Sequence, residues 1–304
     1  MTAHQPAPRQ RFAGAPSAGS GPAGLFRRGA APRAWAGDRV DPARRGEHLT
    51  NGWEPDAPAD DTLKRSAVLV HASWPVAVAD ALGRPWRRTD RWAGALIGDS
   101  GALVNPVILT QPVAEQDAGT LVAEAGELIP PGTPYFLLSP WLTPDFAPHG
   151  LVLIGHPPLM IRFPAPRPRP DPEGVEVREV LDPDELAVAE RVLIEGYPMP
   201  GTPPGSVLAA GLLGGPTRVW LAYVDGEPVS VAMAHVGAGA VLVEYVAALP
   251  AARGKGAGAA VTWAATLADP GLPAVLVASD DGRPTYERMG YLPLERWTAW
   301  VRPA

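Results

Sequence analysis

Regularly spaced apolar residues begin only after residue 60 of the 304-residue chain. A helix is predicted for the run AVLVHASWPVAVADALG, in which Pro75 either bends the helix or marks its true first turn. A hairpin is indicated by WAGALIG and ALVNPVIL, which are separated by Asp99–Ser100–Gly101. A second helix, QPVAEQDAGTLVAEAGEL, and two buried strand segments, YFLLSPW and LVLIGHPPLMIRF, follow. Residues 61–163 are therefore expected to form a small α+β domain.

The second half, residues 175–304, begins with an alternating strand, VEVREV. Asp182 then has the position of a helix cap, with Pro183 at the first helical position and Gly196 at the helix end. A short second helix is predicted for residues 206–213. The strands RVWLAYV and SVAMAHV are typical of a hairpin through Asp225–Gly226.

The rest of this half continues the same alternation. A turn at Gly237–Ala240 leads into the strand VLVEYVAAL, and the glycine-rich segment ARGKGAGAAVTWAATLA opens into a helix. A strand, a short helix and a final strand are predicted for AVLVAS, RPTYERMG and LERWTAWV. The fold class expected for the second half is α/β, with a mixed sheet flanked by helices.

Composition sets two segments apart from these patterns. Residues 1–60 are rich in Ala, Pro, Gly and Arg, have no periodic apolar face and are expected to form a disordered tail. Arg27 and Arg28 are not followed by an apolar segment, so no export signal is predicted and a cytoplasmic location is expected. Residues 164–174, PAPRPRPDPEG, are expected to be an extended linker between two domains.

Several classes of protein are excluded by composition. The chain has no cysteine, which rules out disulfides, zinc–thiolate sites and a cysteine nucleophile. Its net charge of −6 does not favour a nucleic-acid partner, and the chain lacks the long apolar run of a membrane span. The first-half histidines His71, His149 and His156 are scattered and are expected to be packing or surface residues, so no metal site is predicted.

The glycine-rich turn carries the main chemical signal. Gly254, Gly256 and Gly258 lack a Cβ atom, so their backbone can approach a bulky anion closely. The free N–H groups and the positive dipole end of the following helix attract an anion, and Arg253 and Lys255 add positive charge at the rim. A pyrophosphate is the expected ligand. The turn is not a P-loop, because it lacks the Gly-Lys-Ser/Thr ending.

Two motifs together resemble the GNAT superfamily of acyl-CoA N-acyltransferases. The family motif Arg/Gln-x-x-Gly-x-Gly/Ala, between the fourth strand and the third helix, is matched by Arg253, Gly256 and Gly258. A second family signature, a tyrosine near the start of the fourth helix followed by Gly-aromatic, is matched by Tyr286, Gly290 and Tyr291. The resemblance covers residues 175–304 and implies a GNAT-like, mostly antiparallel mixed sheet flanked by helices.

The first half is loosely similar to the same family in its order of elements. A chain of this length resembles tandem GNAT proteins, in which one half has lost its cofactor site. Residues 61–163 lack a counterpart of the turn at 253–258, so this half is expected to bind no CoA. Its expected role is to cover the catalytic half and to shape the acceptor cleft.

The resemblance also implies how acetyl-CoA binds as the acyl donor. Its pyrophosphate would contact the backbone N–H groups of residues 254–259, and its pantetheine arm would pair with the fourth strand. Ser279 stands where many members have Asn and has a shorter reach towards pantetheine. Tyr286 has the position of the acid that protonates the leaving thiolate. The implied cofactor-binding residues are Val246, Ala248, Arg253, Gly254, Lys255, Gly256, Ala257, Gly258, Ala259 and Ser279.

A general base is suggested by strand register. If Gly237–Ala240 forms the hairpin turn, His235 pairs with Leu242 and Met233 with Glu244. His235 and Glu244 would then be diagonal neighbours on one face, able to act as a direct or water-linked base. Alternatively, His235 caps the strand end and Glu244 is solvated or salt-bridged. A slip of one residue in register would separate them.

The acceptor side gives weaker signals. By family resemblance the acceptor enters near EGYPMPGTPPG, so Glu195 and Tyr197 are candidate contacts, although this loop can equally well close the core. Trp263, Trp297 and Trp300 either line the acceptor cleft or pack in the core.

The function expected from these residues is transfer of an acetyl group from acetyl-CoA to a primary amine by direct attack. A small-molecule amine is the first candidate acceptor and a protein amine the second. The alternatives are a non-catalytic acyl-CoA sensor or partner-binding module, and transfer of a different acyl group on the same fold. The sequence does not define an oligomeric state.

Overall fold

The computed structural model describes residues 62–99, 101–197, 199 and 201–304, and the predicted tail lies outside them. In this part of the chain the helices are α1 (Thr62–Ala81), α2 (Ala118–Leu128), α3 (Pro183–Gly196), α4 (Ala257–Thr266) and α5 (Arg283–Arg288). The strands are β1 (Trp86–Arg88), β2 (Trp92–Ala95), β3 (Pro106–Leu109), β4 (Tyr135–Ser139), β5 (Val152–Gly155), β6 (Pro158–Arg162), β7 (Val175–Glu179), β8 (Thr217–Val224), β9 (Glu227–Gly237), β10 (Ala240–Ala248), β11 (Ala274–Val277), β12 (Leu292–Arg296) and β13 (Thr298–Arg302).

Local sequence signals account for several helix positions. The Asp182 side chain accepts hydrogen bonds from the backbone N–H groups of Asp184 and Glu185, so it caps α3 as predicted. Pro75 lies inside α1, where it leaves the carbonyl of His71 without its helical donor.

The predicted helix at 206–213 is corrected to a single 3₁₀ turn, Ala210–Leu212. This segment packs against the end of α1, and a Cβ atom on Gly211 would lie 2.5 Å from the carbonyl oxygen of Ala81. The segment is thus held in an irregular conformation against the end of α1, where only a glycine fits at position 211.

The strands form two mixed, mostly antiparallel sheets flanked by helices. One has the order β1-β2-β3-β4-β13-β5 and the other β12-β6-β11-β10-β9-β8-β7. Each sheet contains an antiparallel meander, and a helix connects the last strand of the meander to a parallel neighbouring strand. In the first sheet α2 connects β3 to β4, and in the second α4 connects β10 to β11. The predicted fold class, with helices flanking a mixed, mostly antiparallel sheet, is confirmed, and both halves carry the same central unit.

The two sheets exchange one strand each. β6, from the first half, lies between β11 and β12, whereas β13, the last strand of the chain, lies between β4 and β5. The division of the sequence at 164–174 therefore does not coincide with a division between the sheets. The predicted final strand LERWTAWV is two strands, β12 and β13, which part at Trp297 as the chain passes from one sheet to the other.

The proline-rich segment packs against the second half. The Arg167 guanidinium lies 5.7 Å from the centroid of the Trp263 ring and pairs with Asp171 at 2.6 Å. A Cβ atom on Gly256 would lie 2.6 Å from Cγ of Pro172, so the segment contacts the glycine-rich turn. The segment is thus irregular and largely exposed, and it contacts α4 at Trp263 and the glycine-rich turn at Gly256.

The hydrophobic core, like the sheets, is built from both halves of the chain. The largest cluster of buried apolar residues has members from both halves, among them Val70 and Trp74 of α1, Leu242 of β10 and Trp297. α1 packs on β2 and β3 of the first sheet and on β9 and β10 of the second. First-half side chains are thereby placed beside the strands that carry the candidate catalytic residues.

Candidate active site

A β-bulge opens the sheet next to Glu244. The β9–β10 hairpin has the predicted register, with His235 opposite Leu242 and Met233 opposite Glu244. The register then shifts between Glu244 and Ala247. Tyr245, within this shift, has a backbone φ of 51°, a value that residues other than glycine rarely adopt. The parallel pairing of β10 with β11 is confined to Val241 and Leu242, so the two strands diverge beyond this point and leave a slot.

The glycine-rich turn presents an open helix end to this slot. Gly254 and Gly256 have φ values of 77° and 87°, and Gly256 is the N-cap of α4 without a side-chain hydrogen bond. The first bond into the helix runs from the Ala260 N–H to the Gly256 carbonyl, at 2.9 Å. The N–H groups of residues 257–259 therefore have no acceptor within the helix and form a favourable site for an anion.

A cleft of about 500 Å³ joins this helix end to Tyr286. It contains seven of the predicted cofactor-binding residues, namely Val246, Ala248, Arg253, Gly254, Gly256, Gly258 and Ala259. It is completed by residues that the sequence did not single out, including Thr262, Asp281, Thr285 and Arg288. These come from α4 and from the segment around α5, which only the fold brings opposite the turn.

The other predicted cofactor residues lie outside the cleft lining. Lys255 is exposed beside the turn, and Ala257 is fully buried in the core beneath α4. The Ser279 hydroxyl accepts a hydrogen bond from the Gly282 N–H at 3.0 Å and thereby supports the turn before α5. The Arg253 guanidinium donates to the carbonyls of Ala248 and Gly196, so it ties the turn to the end of β10.

Glu244 is the centre of a group of titratable side chains. Its side chain is 23% exposed, and burial raises its pKa from 4.5 to about 8. Burial and then the negative charge of Glu244 raise the pKa of Tyr197, at the end of α3, to about 12. The pKa of Tyr286 is also raised, mainly by burial, with contributions from Tyr197 and Glu244. The structure therefore brings Glu244, Tyr197 and Tyr286 into one electrostatic neighbourhood.

The structure corrects the predicted partner of Glu244. Both ring nitrogens of His235 are occupied, Nδ1 by the Thr217 hydroxyl at 2.8 Å and Nε2 by the Ser73 hydroxyl at 3.0 Å. Burial lowers the pKa of His235 to about 4. Because neither nitrogen is left for Glu244, His235 serves to join α1 to strands β8 and β9.

The ring that faces Glu244 is His71 of α1. Its Nε2 atom lies 3.9 Å from Oε1 of Glu244, and its Nδ1 atom lies 2.6 Å from the Ala67 carbonyl oxygen. The ring is fully buried and packs against Trp297, with ring centroids 4.6 Å apart. The sequence alone predicts a packing or surface role for His71, because no sequence signal links α1 to a strand that lies so much later in the chain.

The two predicted acceptor contacts have different positions. Tyr197 is partly buried near Glu244, as described above, whereas Glu195 is half-exposed and pairs with Arg191 at 3.6 Å. Trp297 is fully buried and Trp300 almost so, and Trp263 lies under the Arg162 guanidinium at 4.6 Å from its ring centroid. All three tryptophans therefore pack in the core, which is the second of the two predicted roles.

Glu190 is a structural acidic residue that sequence analysis missed. Its buried carboxylate accepts hydrogen bonds from the backbone N–H groups of Gly205, Val207 and Leu208. It thereby fixes the irregular segment that follows Tyr197. A sequence signal for this role exists. Glu190 lies four residues after Leu186, on the apolar face of α3, and a charged residue that is buried there requires hydrogen-bond partners.

The equivalent helix end in the first half is covered. α2 begins with Ala118–Gly119, as α4 begins with Ala257–Gly258. A Cβ atom on Gly119 would lie 3.1 Å from Cε1 of His149, so the imidazole rests on the first turn of α2. This contact supports the prediction that the first half binds no CoA.

The part of the chain that the structure describes offers neither a metal-binding cluster nor a membrane-spanning helix. No group of three or more histidine, cysteine, aspartate or glutamate residues that could hold a metal ion is found there. Among the helices described, none combines the length and apolar character that crossing a membrane requires.

Comparison with known proteins gives the fold its name. No protein-family model matches the chain, and a search of curated proteins finds no match. A GCN5-related N-acetyltransferase from Kribbella flavida is 20% identical with a TM-score of 0.56, over 79% of this chain and 96% of that one. A functionally unknown conserved protein from Staphylococcus epidermidis is 14% identical with a TM-score of 0.50, over 72% of this chain and 94% of that one. The chain therefore has the GNAT fold, as its motifs predicted, and the similarity extends over both halves.

Proposed function

We propose that the chain is an acyl-CoA N-acyltransferase with one active site, in its second half, that transfers an acetyl group from acetyl-CoA to a primary amine. The observation that carries this proposal is the 500 Å³ cleft, which joins an uncapped helix end to Tyr286 beside the bulge that carries Glu244. An anion site next to an acid and a base is what thioester aminolysis requires. The GNAT fold is consistent with this chemistry.

The chain's residues fit the acyl donor, which supplies an activated thioester. The pyrophosphate would accept hydrogen bonds from the N–H groups of residues 257–259, where Gly256 contributes no competing side-chain cap. The pantetheine arm would lie in the slot along Val246 and Ala248 and complete the hydrogen bonding of β10 where β11 diverges. A backbone N–H near the bulge would polarise the thioester carbonyl.

The chemistry needs two proton transfers. An amine is mostly an ammonium ion near neutral pH, so a base must remove a proton before nitrogen attacks the thioester carbon. Glu244, with its pKa raised to about 8, has a proton affinity suited to this step. As the C–N bond forms and the C–S bond breaks, Tyr286 would donate its proton to the leaving sulfur, since its raised pKa keeps the phenol protonated. No covalent enzyme intermediate is needed.

The acceptor is proposed to be a small-molecule amine, with a protein amine as the second candidate. The competing function is a non-catalytic sensor that binds acyl-CoA without turnover. The presence of Tyr286 in the cleft lining and of Glu244 at the neighbouring bulge favours turnover over sensing. Transfer of a different acyl group is the alternative within the same reaction class.

Donor binding is tested by placing a charge at the helix end. Ala259→Glu puts a carboxylate in the first turn of α4, where it interacts favourably with the helix dipole but repels a pyrophosphate. The melting temperature of this variant should equal or exceed that of the unmodified chain. Its affinity for CoA, measured by titration calorimetry, should fall. Ala259→Gln has nearly the same size, so the loss beyond that variant, expected to be about 10- to 100-fold, isolates charge. Equal CoA affinity in the two variants would show that the anion does not bind here.

Turnover is tested by release of the CoA thiol with a panel of amines. Because the chain contains no cysteine, a thiol-reactive dye reports CoA without a background from the protein. Amine-dependent thiol release that Tyr286→Phe slows supports the transferase. Tight CoA binding without amine-dependent release, for every amine and acyl chain in the panel, would support the sensor instead.

A further inference from the structure

An unpaired nitrogen of the first half points at the candidate base of the second half. The Nε2 atom of His71 is buried without a hydrogen-bond partner among the described residues, and it faces Oε1 of Glu244 at 3.9 Å. Buried polar atoms usually have a partner, so an orphaned one beside a carboxyl group requires an explanation. Packing alone does not supply it, because a phenyl ring would pack as well.

We propose that His71 is the proton partner of Glu244, and that the first half thereby supplies a positioning residue of the active site. This inference rests on the transferase function proposed above. Under this proposal the first half does more than cover the catalytic half, because it contributes a side chain to proton transfer. His71 acts through Glu244 and does not itself touch the substrate.

The tautomer of His71 is fixed by its surroundings. The carbonyl of Ala67 can only accept a hydrogen bond, so the Nδ1 atom, 2.6 Å away, carries the proton. Burial lowers the pKa of His71 to about 4, so the ring is neutral and Nε2 presents a lone pair to Glu244. The separation of 3.9 Å exceeds a direct hydrogen bond and is closed by a rotation of the carboxyl group or by one bridging water.

The ring is held in this orientation by a second set of contacts. Trp297 packs against it, and the Trp297 indole N–H donates to Glu295 at 2.8 Å. Glu295 in turn pairs with Lys64 of α1 at 2.7 Å. Trp297 therefore packs against His71 and is also tied to α1 through Glu295 and Lys64, which limits rotation of the imidazole ring.

The other groups around Glu244 do not take this role. Tyr245 of β10, Tyr197 at the end of α3 and Tyr286 of α5 all have raised pKa values, so each stays a neutral phenol. A phenol that donates to Glu244 would favour the ionised carboxylate, whereas the lone pair of His71 favours the protonated one. Burial raises the pKa of Glu244, and the backbone N–H of Tyr245 lowers it. His71 thus acts in the same direction as burial and increases the proton affinity of Glu244, which makes Glu244 a stronger base towards an ammonium ion.

The first test does not depend on turnover. In ¹⁵N-labelled full-length protein, the Nε2 resonance of His71 should have the shift of an unprotonated nitrogen from pH 5 to 9, with a step as Glu244 titrates. His71→Phe identifies the resonance among the six histidines, and Glu244→Gln should remove the step. A protonated Nε2 at pH 7, or no step in the unmodified chain, would overturn the proposal whether or not the chain transfers acyl groups.

The second test compares two changes on the same helix. His71→Phe keeps the packing on Trp297 but removes the lone pair, so the inflection in the pH profile of the single-turnover rate should move down by about one pH unit. The rate above the inflection should fall about 3- to 10-fold, because the base is weaker. Ser73→Ala also removes a contact between the halves, the one to His235, and should leave the inflection in place. An unmoved inflection in His71→Phe, or an equal shift in Ser73→Ala, contradicts the proposal. If His71→Phe does not fold, the resonance is assigned through its scalar correlations to the His71 backbone, and the titration of the unmodified chain and Glu244→Gln decides.

Discussion

Replacing Glu244 by Gln should change how the stability of the fold depends on pH. Glu244 is a carboxyl group whose pKa rises from 4.5 to about 8 on folding, because its side chain is largely removed from water. Between these pH values the folded chain holds a proton that the unfolded chain has released. The resulting stabilisation is complete below pH 4.5 and is lost as the pH rises through 8, whereas Gln has no such dependence.

The size of the effect follows from the two pKa values. At about 1.4 kcal/mol per pH unit, the whole difference between them is worth about 5 kcal/mol. The 23% exposure of the side chain lets water stabilise the ion and reduces that figure. The free energy of unfolding, relative to that of Glu244→Gln, should therefore fall by about 2–3 kcal/mol between pH 5 and pH 8.

Urea denaturation of both proteins at intervals between pH 5 and pH 8 measures this difference. Glu227→Gln, which removes an exposed carboxylate at the start of β9, controls for the loss of one charge. The reasoning is refuted if the difference between the unmodified chain and Glu244→Gln is the same at both ends of the pH range. In that case Glu244 would have an ordinary pKa and would be a poor base for an ammonium ion.

Three further outcomes are expected. Tyr286→Phe should slow the single-turnover rate by about 10²- to 10⁴-fold with little change in acetyl-CoA affinity, and an unchanged rate would remove the acid role. Glu190→Gln should lower the free energy of unfolding by about 1–3 kcal/mol, because a carboxylate that accepts three backbone N–H groups is lost, and hydrogen exchange should quicken at residues 205–208. Calorimetric titration should give one CoA per chain, since His149 covers Gly119 at the first turn of α2; two sites would contradict that interpretation.

Local chemistry made part of this site predictable. Asp182 and Pro183 defined the start of α3, and the glycine-rich turn defined the open end of α4. The turn after Gly237 fixed the β9–β10 register, so the position of Glu244 opposite Met233 followed from sequence spacing alone. Each of these features is determined within a few residues of chain.

Long-range packing was not predictable in the same way. The bulge needs a positive φ at Tyr245, a residue type that gives no such signal, and the exchange of β6 and β13 depends on both sheets at once. His71 reaches Glu244 only because α1 packs across both sheets. The contact between the proline-rich segment and Gly256 is also long-range, because a Cβ atom there would meet Pro172 at 2.6 Å.

The most direct test of the central claim is a crystal structure of the full chain with acetyl-CoA. The account predicts the pyrophosphate on the N–H groups of residues 257–259 and the pantetheine arm in the slot along Val246 and Ala248. The thioester should lie within hydrogen-bonding reach of Tyr286, on the side of β10 that carries Glu244. Acetyl-CoA bound elsewhere, or a thioester remote from both side chains, would contradict the claim that this cleft carries out acyl transfer.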